Sequence, residues 1–95
     1  MVAAELTETR VGAIGQVVTI TGKPVKIGVY TAAKATQADW VILGDFDVIQ
    51  SAICYTVGAT GVRAAETYSV DTSTTNKLIL TSATTGTASI VAIGY

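Results

Sequence analysis

Apolar residues along this chain recur at every second position, or in runs of four or five, and never at helical spacing over three turns. Val25–Thr31 (VKIGVYT) alternates: Val25, Ile27 and Val29 share one face, and Lys26, Gly28 and Tyr30 the other, as in a half-buried antiparallel strand. Gln16–Thr21 (QVVTIT) reads as the strand before it, with a turn at Gly22-Lys23-Pro24. Asp39–Leu43 (DWVIL) is apolar on both faces. Phe46–Val57 (FDVIQSAICYTV) is long enough to require a bulge near Gln50-Ser51, with Ile49, Ile53, Tyr55 and Val57 on one face and Phe46, Val48, Ala52 and Cys54 on the other. Gly58-Ala59-Thr60-Gly61 is a hairpin turn leading into Val62–Val70, and Asp71–Asn76 (DTSTTN) is a polar turn. Lys77–Thr81 and Thr87–Ile93 read as a closing hairpin across Ser82–Gly86.

Two short stretches have some helical character, Val2–Thr9 (VAAELTET) and Thr31–Ala38 (TAAKATQA), and both are read as loop or strand. Strands recurring about every ten residues with turn signals between them predict an all-β fold. The expected form is a small antiparallel β-sandwich or barrel of about seven to eight strands. Residues 16–95 form its single domain, and Met1–Gly15 is an N-terminal arm or edge strand. Trp40, Ile42, Ile49, Ile53, Val70, Leu78, Leu80, Ile90 and Val91 are expected in the core or in contacts between subunits.

Composition narrows the chemistry. The 95 residues contain no histidine and one cysteine, so a histidine-based triad, a histidine-ligated metal and an internal disulfide cannot be built from this chain. Six scattered cations against seven acids argue against nucleic-acid binding through a basic patch. Apolar runs such as Trp40–Leu43 fall far short of the ~20 residues of a membrane helix. The start, MVAAELTETR, places acids before its first base and lacks the apolar stretch of a secretory signal.

Individual residues yield little. Asp45 and Asp47 in GDFD, with Asp39 nearby, have the spacing of a carboxylate pair, but a calcium loop needs more oxygen ligands and an internal glycine, so they read as a solvated strand start. Cys54 lies between apolar neighbours with no histidine to deprotonate it, and reads as a buried structural thiol. The spacings in VGAIG and VGATG are not followed by lysine, and no GxSxG occurs. Trp40, Tyr30, Tyr55, Tyr68 and Tyr95 suggest either core and interface rings or a sugar-stacking platform. No catalytic, cofactor-binding or metal site is therefore assigned, and no cofactor is expected.

Hydrophobic residues make up 49% of the chain and charged ones only 14%, a mismatch for a domain too small to bury all of the former. Self-association is the expected remedy. The stretches ADWVILGDF, DVIQSAICYTVG and YSVDTSTTNKLILTSATTGTASIVAIGY resemble small virion structural proteins of tailed viruses, among them capsid-decoration and head- or tail-associated β-proteins. The likeness covers about residues 38–95 and lies in short apolar strands, Thr/Ser/Gly turns and few charges. It implies a non-enzymatic assembly subunit of the virion that forms a homo-oligomer, taken as a trimer, and contacts a major capsid or other virion protein. In that reading Met1–Gly15 adds a strand to a neighbour. The alternative is a carbohydrate-binding or adhesion module using surface aromatics.

Overall fold

The structure, a computed structural model, describes residues 2–12, 15–20 and 23–95, and only the backbone of 16–20, 23 and 24. It is all-β and antiparallel, with nine strands in two sheets among the described residues. The strands are β1 (Glu8–Arg10), β2 (Gly15–Ile20), β3 (Lys23–Lys34), β4 (Trp40–Ile42), β5 (Ile49–Val57), β6 (Arg63–Ala65), β7 (Tyr68–Val70), β8 (Lys77–Leu80) and β9 (Gly86–Gly94). The larger sheet has the order β1-β3-β9-β5-β6, with β2 paired to the same edge of β3 as β1; the smaller is β4-β8-β7. Neither sheet closes on itself, so the fold is not the barrel that the strand spacing also allowed. Both stretches with helical character lack helix, and Thr31–Lys34 simply continues β3.

The core lies between the sheets. Leu78, Leu80, Val41 and Leu43 from the small-sheet side meet Tyr30, Ala32, Ala88, Ile90, Ala92, Ala52 and Cys54 from the large one, with Phe46 and Ile49 completing the cluster. Tyr30 and Phe46 pack edge to face, with ring centroids 6.4 Å apart at 63°. Ile49, Leu78, Leu80 and Ile90 are buried as expected, whereas Ile53 leaves the core entirely at 67% exposure.

The structure settles one open point, the buried face of β3, and corrects three sequence expectations. On β3 the inward face is Gly28, Tyr30, Ala32 and Lys34, while Val29 faces out at 38% exposure. The partner strand shares this face: Gly28, Tyr30 and Ala32 lie opposite Ala92, Ile90 and Ala88, and the core of the opposite sheet packs on them. Of the corrections, the first is that β5 begins at Ile49, and its register shifts between Ile49 and Ser51, at the predicted bulge. The extra residue turns Ile49 inward with Ala52, Cys54 and Thr56, which separates it from Ile53. Second, Val62–Val70 is not one strand: β6 pairs with β5 and β7 with β8, and the chain changes sheets at Glu66-Thr67. Third, β8 and β9 form no hairpin but belong to different sheets.

Turn chemistry explains the connections that were read correctly. Gly61 takes φ +79° in the β5–β6 hairpin, where Gly58 N donates to Val62 O at 3.1 Å. Asp71 Oδ2 accepts from Thr74 N at 2.8 Å in the turn before β8. Lys23 and Pro24 already belong to β3, so only Gly22 of the predicted Gly22-Lys23-Pro24 turn lies outside the strands, and it falls outside the described residues, as do Met1, Ala13, Ile14 and Thr21. The first segment pairs within its own chain. Leu6 N donates to Trp40 O at 2.8 Å and Trp40 N to Ala4 O at 3.2 Å, while β1 pairs with Tyr30–Ala32 of β3.

Candidate functional site

The chain changes sheets four times after β3, and polar side chains hold each crossing. Between β3 and β4 stands Asp39, 1% exposed. Its Oδ1 accepts from Ala4 N at 2.9 Å and Thr36 Oγ1 at 2.7 Å; its Oδ2 accepts from Ala35 N at 2.9 Å and Thr36 N at 2.8 Å. Burial alone would raise this carboxyl, but the four donors outweigh it and bring it down to about 2. The same turn holds Ala38 at φ +69°, a left-handed conformation that costs a non-glycine residue about 1 kcal/mol. Asp39 therefore fastens the N-terminal segment to the turn that carries the chain into the small sheet.

Between β4 and β5 stands Asp45. Tyr30 Oη donates to its Oδ2 at 2.8 Å, Arg10 pairs with its Oδ1 at 3.2 Å, and Lys26 Nζ donates to its backbone oxygen at 3.2 Å. Asp45, Tyr30 and Arg10, with Glu8, Gly12 and Gly44, line an open cleft of about 490 Å³. Burial, followed by the bond to Asp45 and that residue's charge, pushes the Tyr30 phenol above its ordinary value, so its proton stays in place. The Asp45 carboxylate is paired there with the Arg10 guanidinium and the Tyr30 phenol.

The β6–β7 and β8–β9 crossings share one buried cluster. Lys34 Nζ donates to Glu66 Oε1 at 2.8 Å, to Ser82 O at 2.6 Å and to Ser82 Oγ at 3.2 Å. Glu66 also accepts from Thr56 Oγ1 at 2.7 Å and Ser82 N at 2.8 Å. Both charged side chains are wholly buried. Burial alone would raise Glu66, yet the bonds from Lys34, Thr56 and Ser82 hold it below the usual carboxylate range. Among the described residues no buried side-chain nitrogen or oxygen lacks a partner. Nothing in the sequence pairs Lys34 with Glu66, which lie 32 positions apart. The Asp39 clasp had a local signal, a threonine three positions before an aspartate in a turn.

The sequence candidates fall in separate places. Asp39 and Asp45 serve different crossings and Asp47 is exposed; among the described residues no three His, Cys, Asp or Glu side chains converge on a metal position. Cys54 is a buried free thiol, pushed up to about 11 by burial and the Glu66 charge. The aromatic rings form no common surface: Tyr30 and Phe46 are buried, Lys77 Nζ covers the Trp40 ring at 4.3 Å, and the Arg63 guanidinium covers Tyr55 at 4.6 Å. Tyr68 Oη accepts from Ala52 N at 3.1 Å.

The feature that sequence reasoning missed is the outer face of the large sheet. Val29 lies opposite Val91, and Val91 opposite Ile53. Val11 N bonds Val29 O at 2.7 Å, which continues the row onto the edge segment. Val11, Val29 and Ile53 are 54%, 38% and 67% exposed. The next row pairs Ile27 with Ile93, and the one beyond Val91 pairs Thr31, Ser89 and Tyr55. Across these three rows the described side chains are apolar or hydroxyl-bearing, and the Arg63 guanidinium lies over the Tyr55 ring at their end. Comparison with protein-family models, curated proteins and solved structures gives no match for this chain.

Proposed function

We propose that this protein is a non-enzymatic structural assembly subunit, a two-layer β-sandwich of the kind that decorates or joins parts of a virion. The observation that carries the reading is the uncharged apolar row Val11–Val29–Val91–Ile53 on the open face of the large sheet. A lone soluble domain rarely leaves such a row to water; an assembling one covers it with a neighbour. The charged groups at the crossings support the same reading, because Asp39, Asp45, Lys34 and Glu66 are bonded there to the fold's own groups. The resemblance to small virion proteins supplies the setting: a homo-oligomer, three copies on that likeness, attached to a major capsid or other shell protein. The carbohydrate-binding alternative draws little support from the rings: Tyr30 is buried and cations cover Trp40 and Tyr55, although Tyr68 is 37% exposed.

Light scattering on the full chain at micromolar concentration, beside a glycan panel, tests the reading. An oligomer that binds no glycan is expected. A monomer that binds a glycan would overturn it.

A further inference from the structure

We infer that the occupant of the large sheet's outer face is a second copy of this chain, seated face to face. The inference rests on the assembly reading and names its contact. Charge and area carry it.

On charge, Ile27, Val29 and Thr31 of β3, Ser89, Val91 and Ile93 of β9, and Ser51, Ile53 and Tyr55 of β5 line up as three cross-strand rows with no ionisable group except the tyrosine phenol. A strongly charged partner would find nothing to pair with there and would lose solvation. A copy of the same surface brings apolar groups and hydroxyls against their like, with no like-charge penalty. The Arg63 guanidinium is already engaged over the Tyr55 ring at the sheet's end.

On area, the pairing runs through nine registered positions between β3 and β9, about 30 Å at a strand's rise per residue. The β1/β2 edge, β3, β9 and β5 abreast add about 19 Å of width at ordinary strand spacing, β6 being only three residues long. That footprint is roughly 570 Å² per copy, or about 1,150 Å² for the pair, above the about 1,000 Å² that a specific interface needs. A bare apolar row needs a cover of this size, and sheets readily pack face to face about 10 Å apart. The contact is isologous and closes at two copies, whereas the resemblance to virion proteins implies three.

The test is sedimentation equilibrium of the full chain and of Ile53→Glu, Ile53→Thr and Val62→Glu. Val62 is as exposed as Ile53 but lies off the three rows, in the turn after β5. Circular dichroism establishes that each variant keeps its strands; the threonine variant retains a β-branched side chain should glutamate disturb the fold. The expected result is a dimer for the parent and Val62→Glu, about 100-fold weaker pairing for Ile53→Glu, and a smaller loss for Ile53→Thr. A trimer that Ile53→Glu leaves intact overturns this contact while the assembly reading stands. A parent chain that is monomeric at 100-fold dilution and at the highest soluble concentration alike overturns both.

Discussion

Asp39 does more for this fold than its place in a short turn suggests. One carboxylate satisfies three backbone N–H groups and a hydroxyl, and one of those N–H groups belongs to Ala4 at the far end of the N-terminal segment. Its folded value of about 2 lies below the ordinary 3.8, so the ionised form is what the folded state binds. The stabilisation is fully present above about pH 4 and is lost as pH falls through about 2. Denaturant melts at descending pH should show that loss, and Asp39→Asn should flatten it while costing about 1–3 kcal/mol at pH 7, because an amide nitrogen cannot accept. An unchanged acid profile in that variant would remove Asp39 from the account. Cys54 gives a second check. With its thiol up at about 11, alkylation at pH 8 should run on the order of 100-fold slower than for an ordinary thiol, and denaturant should abolish the protection. Rapid labelling of the folded protein would contradict its burial.

At the scale of strands, β9 is the central element of the large sheet, paired along its length with β3 and β5. Its ends are close-approach points. A Cβ at Gly86 would stand 2.0 Å from Val57 O, and one at Gly94 2.0 Å from Val48 O; Gly86 also has φ +139°. Gly86→Ala and Gly94→Ala should each destabilise by at least about 2 kcal/mol in chemical denaturation, since the obstacle is backbone and cannot rotate away. An exposed control such as Gly44→Ala, where nothing lies within 4 Å, should stay within about 0.5 kcal/mol. Leu80, wholly buried on β8, should cost about 2–5 kcal/mol as alanine. The Lys34–Glu66 pair makes a sharper prediction: Lys34→Met or Glu66→Leu alone should cost about 3–5 kcal/mol, and the two together clearly less than the sum. Additive losses would mean that the two charges are not coupled.

These elements also show what the sequence revealed. Alternation and turn residues located the strands, down to the bulge beside Gln50, because both are local signals. Sheet membership was not local. Lys77–Leu80 and Gly86–Gly94 read as a hairpin, yet Lys34 reaching Ser82 and Glu66 marks the place where the chain leaves one sheet for the other. Alternation alone also left open which face of β3 is buried. Tyr30 and Lys34 are held inward by partners 15 and 32 residues away. The same gap hid the apolar outer face, since Ile53 was expected in the core or in subunit contacts and Val29 was assigned to neither.

The whole molecule measures 43 × 27 × 19 Å, with two sheets sharing one core. Its charges are few, and three of them, Lys34, Asp39 and Glu66, are buried at the crossings. Its hydroxyls serve the turns, and its surplus of β-branched side chains lies on one broad face. An account in which that face is the contact between copies is tested most directly by methyl NMR over a dilution series. As the protein is diluted, the methyl signals of Val11, Val29, Ile53 and Val91 should shift together along one binding curve, while those of Leu78, Leu80 and Val41 in the core and Val62 in the turn stay fixed. Signals of Val11, Val29, Ile53 and Val91 that do not move with concentration, or dilution shifts confined to other surfaces, would contradict it.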